Sequence, residues 1–166
     1  MVSRVVDIQT VSIAIASASI VVAVIYYILQ IQHQKKMRQT DLLVQMQKAS
    51  STKEMVEAMM KYLSTEYKDY DDFVEKYGPP IGEGQVQTVF AMIGMFFEGM
   101  GILLKNRLVS LDLVTQFFTV EWFWLKMKPL AEGMRKQTNV LGLYEWFEYL
   151  YNETKKYEQK LQQSKV

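Results

Sequence analysis

The chain has 166 residues, enough for one domain plus an anchor, because a single hydrophobic core organises about 100–200 residues. Its 19 Lys and Arg residues nearly balance 18 Asp and Glu residues, so no basic excess indicates nucleic-acid binding. The absence of cysteine excludes disulfides, thiolate nucleophiles and cysteine-based metal sites. A single histidine, His33, falls short of the several ligands that transition-metal sites use, and we expect no cofactor.

The first apolar segment, residues 11–29, reads VSIAIASASIVVAVIYYIL and carries no charge. About 20 apolar helical residues cross a hydrocarbon core of about 30 Å, so the segment predicts a transmembrane helix preceded by a short extracytoplasmic N-terminus, residues 1–10. A cleaved signal peptide is disfavoured because Ala14, Ala16 and Ala18 lie mid-segment and not at a cleavage site. A buried core helix is disfavoured because such helices seldom stay uncharged for this length.

Basic residues follow this segment directly. Lys35, Lys36 and Arg38 lie on its C-terminal side, whereas only Arg4, offset by Asp7, lies on the other. The excess of Lys and Arg in cytoplasmic loops predicts a single-pass protein of the cell membrane, with its N-terminus outside and the following domain in the cytoplasm. We expect the same three residues to contact anionic lipid head groups.

Small residues recur along one face of the predicted membrane helix. Ser12, Ala16, Ser19 and Ala23 are spaced by four, three and four residues, which places them in one stripe. Association in lipid uses close backbone approach and interhelical hydrogen bonds, since no hydrophobic force drives helices together there. The stripe predicts packing against a transmembrane helix of a partner or of a second copy. The alternative is that Ala and Ser are merely tolerated in a membrane helix.

The rest of the chain predicts an all-α protein in which the membrane helix continues into a stalk and is followed by a compact helical bundle. Residues 30–50 lack Gly and Pro and predict the stalk. The domain is expected over residues 51–152, and a polar C-terminal tail over residues 153–166. Ser51 and Glu54 form a capping-box pattern at the start of the next helix. Its apolar residues, Met55, Met59, Met60 and Leu63, are expected to pack in the core.

The acidic stretch DYDDFVEKYG, residues 69–78, suggests a calcium loop but lacks the glycine and the third ligand that an EF-hand needs at fixed positions. We expect an Asp of this stretch to cap a short helix that ends at Gly78. Further along the chain, Ser110 is expected to cap another short helix. Pro129 is expected to kink or divide the longer helix that follows.

The second apolar run, residues 86–104, is also long enough to span a membrane. Glu98 lies within it, at a cost of about 2.5–3.5 kcal/mol near mid-bilayer, and a second crossing would carry Lys105 and Arg107 outside. We therefore expect a buried central helix of the domain. Glu98 then needs a polar partner, and we interpret it as a salt-bridged or capping residue because no second catalytic group is identifiable.

The order of five segments resembles an uncharacterised prokaryotic family known only as a domain of unknown function. These segments are YYILQIQHQKKMRQTDLLVQM, DYDDFVEKYG, FFEGMGILLKNRLVSLDLVTQFF, WFWLKMKPLAEGMRK and YEWFEYL. The resemblance implies a single-pass, membrane-anchored helical protein with a stalk rich in Gln and Arg. It implies no catalytic residues.

Together these features predict a non-catalytic accessory or interaction subunit that contacts membrane lipid and belongs to a larger membrane complex or a homo-oligomer. The alternative is a membrane-bound sensor that binds a small ligand among aromatic residues such as Trp122, Trp124 and Trp146. An enzymatic interpretation would rest on Glu98 or on the acidic residues 69–72, and we expect no enzyme.

Overall fold

A computed structural model describes residues 8–163, apart from the side chain of Gln9, and these residues form α-helices and no strand. The prediction of an all-α fold is confirmed. The helices are α1 (Ile8–Ser50), α2 (Lys53–Ser64), α3 (Tyr70–Tyr77), α4 (Gln85–Lys105), α5 (Leu111–Phe117), α6 (Val120–Thr138) and α7 (Glu145–Gln163). The chain divides into two compact units, one ending at Gln39 and one beginning at Thr40.

The first unit consists of the apolar part of α1. Its side chains are exposed along residues 10–30, and none of the large apolar residues in that range packs in a core. Among the described residues, α1 and α4 are long and apolar enough to cross a membrane, by length and composition alone. Core helices of soluble proteins and N-terminal signal sequences meet the same criteria. The structure of α1 is thus compatible with a membrane anchor or a signal sequence.

The second unit begins at Thr40 and not at residue 51, where the sequence placed the domain boundary. Leu43 is only 1% exposed, and Leu42 and Met46 pack against the same core. These residues lie three and four positions apart and form an apolar face on the last turns of α1. The end of the predicted stalk is therefore part of the helical domain.

The other domain boundary also shifts, because α7 continues to Gln163, well into the predicted polar tail. Thr154 is buried, and Lys155 Nζ lies 2.8 Å from Glu121 Oε1 on α6. The Tyr157 hydroxyl donates to Asp112 Oδ1 on α5 at 2.7 Å. Side chains on one face of the amphipathic α7 thus attach it to the domain beyond the predicted boundary.

Short polar side chains determine where several helices begin. Asp69 caps α3 by accepting a hydrogen bond from the Asp72 N–H at 2.9 Å, and α3 ends at Gly78, whose φ is 84°. Ser110 caps α5. The predictions for these helix ends are confirmed. They could be made from the sequence because a cap depends on residues close to it along the chain.

The capping residue of α2 differs from the prediction. The Thr52 side chain accepts a hydrogen bond from the Met55 N–H at 3.3 Å and caps α2. The Ser51 hydroxyl instead donates to the Gln47 carbonyl at 2.8 Å, in the last turn of α1. Two adjacent residues with capping side chains make the sequence ambiguous by one position.

Helix α6 runs from Val120 to Thr138 without being divided at Pro129, although proline cannot donate the hydrogen bond that the Leu125 carbonyl would otherwise accept. On the same stretch, the Tyr62 hydroxyl donates to the Phe123 carbonyl at 2.7 Å, and the Tyr67 hydroxyl donates to the Lys126 carbonyl. These two tyrosines attach α2 and the loop after it to α6.

Helix α4 lies at the centre of the domain and packs against α2, α6 and α7. Phe97 of α4 stacks on Phe147 of α7, with ring centroids 4.7 Å apart, and Trp124 of α6 meets the same Phe147 edge-on at 5.2 Å. All three side chains are buried. Aromatic rings from three helices thus form the middle of the core.

Glycine allows α4 to approach α7 closely. A Cβ atom at Gly101 would lie 2.0 Å from the Trp146 carbonyl oxygen, and one at Gly94 would lie 2.4 Å from the Tyr144 ring. A Cβ at Gly99, on the same helix, would meet nothing within 4 Å. Gly101 is therefore required by packing against backbone, a Cβ at Gly94 would displace the Tyr144 ring, and Gly99 is not constrained by packing.

We predict opposite effects for two glycine-to-alanine substitutions in α4. Gly101→Ala should lower the free energy of unfolding by about 1–3 kcal/mol, because the methyl group overlaps a backbone oxygen. Gly99→Ala should raise it by up to about 1 kcal/mol, because alanine favours the helix and the site is open. Both changes in the free energy of unfolding can be measured by denaturing the full chain in mild detergent and monitoring the unfolding by tryptophan fluorescence. Equal effects would contradict the close approach of α4 and α7.

The buried tyrosines predict a pH dependence. Burial raises the pKa of Tyr67 above its ordinary value of 10.0, so the tyrosine stabilises the fold fully below pH 10.0 and progressively less above it. Tyr67→Phe should cost about 1 kcal/mol at neutral pH, because the Lys126 carbonyl loses its donor. This difference between wild type and variant should shrink as the pH rises above 10.0. Denaturation at a series of pH values tests it, and a constant difference would refute the assignment.

Candidate interaction surfaces

The small-residue stripe lies on exposed α1. Ser12, Ala16, Ser19 and Ala23 all have exposed side chains. The Ser12 hydroxyl donates to the Ile8 carbonyl at 2.9 Å, and the Ser19 hydroxyl donates to the Ile15 carbonyl at 2.8 Å. Hydrogen bonding to the helix's own carbonyls lowers the cost of placing a hydroxyl in lipid. Because the hydroxyls are already bonded within α1, the stripe is suited to the close approach of a second helix backbone and less suited to interhelical hydrogen bonds.

Part of the stripe forms a shallow depression. Its lining consists of Ser19 and Ala23 of the stripe, Ala18 beside them, and the larger side chains Ile15, Val22 and Tyr26. Small residues flanked by large ones are the shape into which a side chain of a second helix fits. The depression is open along α1 and lined mainly by apolar atoms.

The basic residues expected at the lipid head groups, Lys35, Lys36 and Arg38, are exposed on α1. They belong to the first unit, on the C-terminal side of the apolar segment. Because these side chains are exposed, their cationic groups are accessible from solvent.

Glu98 of α4 supplies the cap of a different helix. Its Oε2 accepts a hydrogen bond from the Phe147 N–H, in the first turn of α7, at 2.8 Å. The residue before α7 is Tyr144, with a φ of 56°, and tyrosine is not among the short polar residues that cap helices. A carboxylate near the N-terminus of a helix also interacts favourably with the helix dipole. Glu98 thus takes the place of a local cap.

The electrostatics of Glu98 reflect partial burial. Desolvation raises the pKa of Glu98, and the backbone hydrogen bonds from Phe147 and Trp146 offset only part of this effect. Burial raises the pKa of the adjacent Tyr144 hydroxyl, with a smaller contribution from the charge of Glu98. The Arg135 guanidinium donates hydrogen bonds to the Leu143 carbonyl at 2.8 Å and to a carboxylate oxygen of Glu148 at 2.7 Å. The surroundings of Glu98 thus hold the start of α7 in place.

Apolar side chains of α2, α5 and α6 leave an open groove of about 380 Å³ on the domain surface, which we call the α2–α6 groove. Two of its residues are strongly exposed, Trp122 at 66% and Met60 at 68%. Its lining contains no charged residue and consists of Ser50, Val56, Met59, Met60, Leu63, Phe117, Phe118, Thr119, Trp122 and Phe123.

The sequence expectation for α2 was wrong on this point, because Met60 and Leu63 are exposed instead of packing in the core. The buried residues of α2 are Ala58 and Tyr62, on the opposite side of the helix. Apolar residues surround more of α2 than the core can cover, so the pattern alone does not identify the buried side. The spacing of Val56, Met60 and Leu63 is the signal that marked this second face.

A sequence profile for a domain of unknown function, DUF4760, matches residues 13–154. The chain belongs to this family. The match confirms the resemblance drawn from the sequence, and it includes Glu98, the α2–α6 groove and the stripe from Ala16 onward. No curated protein and no solved structure shows significant similarity to the chain.

The described residues bring together no cluster of three or more His, Cys, Asp or Glu side chains suited to a metal ion. In the acidic stretch, Asp69 caps α3, while Asp72 Oδ2 accepts hydrogen bonds from the Lys68 N–H and from the Lys76 ammonium, 2.8 and 2.9 Å away. The hydrogen bond from Lys76 lowers the pKa of Asp72. These carboxylates stabilise the N-terminal end of a short helix.

We predict that Glu98→Ala lowers the free energy of unfolding by about 1–2 kcal/mol, because the Phe147 N–H loses its acceptor. Glu98→Gln should cost less, because the amide oxygen still accepts and the desolvated charge is gone. Since the pKa of Glu98 is raised, the residue stabilises the fold most below its ordinary value of 4.5 and less as the pH rises through the raised value. The Gln variant should lack that dependence. Equal losses for Ala and Gln in denaturation experiments would rule out the cap.

Proposed function

We propose that the protein is a non-catalytic, membrane-anchored accessory subunit that assembles through the small-residue stripe of α1 with a transmembrane helix. That helix belongs to a larger membrane complex or to a second copy of the chain. The observation that carries the proposal is an exposed apolar helix with one face of small side chains.

The exposure of α1 supports insertion in a membrane. Among its exposed residues are Ile13, Ile20 and Val22, each at least 60% exposed. Each large apolar side chain moved from water into lipid contributes about 1.5–3 kcal/mol. These contributions add over the segment and favour its insertion in a bilayer.

The orientation follows from charge. Lys35, Lys36 and Arg38 lie within ten residues of the apolar segment, the range in which basic residues determine topology. We therefore propose a single-pass protein of the cell membrane with the helical domain in the cytoplasm. The same side chains are suited to contact anionic head groups.

The arrangement of carboxylates supports a non-catalytic role. Glu98 and Asp69, on which an enzymatic interpretation would rest, both accept hydrogen bonds from backbone N–H groups at helix starts. General acid–base catalysis needs a titratable group in reach of a substrate, and these two groups are used in capping. Of the tryptophans on which the sensor alternative rests, Trp124 fills the core and is not accessible to a ligand.

Two double variants of the stripe provide a matched test. Ala16→Leu with Ser19→Leu places bulk on the stripe, whereas Ala14→Leu with Ser17→Leu places the same bulk on the far side of α1. The Ser17 hydroxyl donates to its own helix at 2.8 Å, as Ser19 does. The two pairs therefore differ in position and not in chemistry.

We expect the stripe pair to reduce association at least about tenfold, equivalent to about 1.4 kcal/mol, and the control pair to leave it nearly unchanged. The measurement is purification of the full chain from membranes in mild detergent, with identification of companion chains and determination of size. A wild-type monomer without companions would refute the proposal. Equal effects of the two pairs would refute the role of the stripe.

A further inference from the structure

We draw no further inference here: the strongest candidate, the apolar α2–α6 groove on the surface of the domain, carries none because nothing in the part of the chain that the structure describes shows what covers it.

Discussion

The close contact between α4 and the start of α7 is the constraint on which the rest of the domain depends. Gly101 allows the backbones of α4 and α7 to approach closely. Glu98 of α4 caps α7, and Phe97 of α4 stacks on Phe147 of α7. The Glu98 carboxylate reaches the Phe147 N–H because the helices lie this close. The start of α7 is therefore capped by a residue of α4 and not by a residue of its own segment.

The two sides of α2 have different surroundings. Tyr62, on the buried side of α2, bonds a carbonyl of α6, whereas Met60, on the other side, faces solvent. The hydroxyl that holds the two helices together is buried, so the outer face is free of that structural role. Substitutions on that apolar outer face should therefore affect the stability of the domain less than substitutions at Tyr62.

Local features of the fold could be predicted from the sequence because their causes lie within a few residues. Asp69 and Gly78 bound α3 through capping chemistry, and Ser110 begins α5 in the same way. The family could likewise be recognised from the order of its segments. Where two adjacent residues had equal capping ability, Ser51 and Thr52, the sequence alone did not distinguish them.

The sequence by itself determined the helical class, the apolar N-terminal helix and the need of Glu98 for a polar partner, because periodicity, length and the cost of desolvation are local properties. Only the tertiary structure decided that the partner is the N–H of Phe147, distant along the chain. It also decided that Leu43 belongs to the domain and that Met60 does not belong to the core. Which face of an amphipathic helix becomes buried depends on the surfaces of its neighbours, and a hydrophobic pattern carries no information about those.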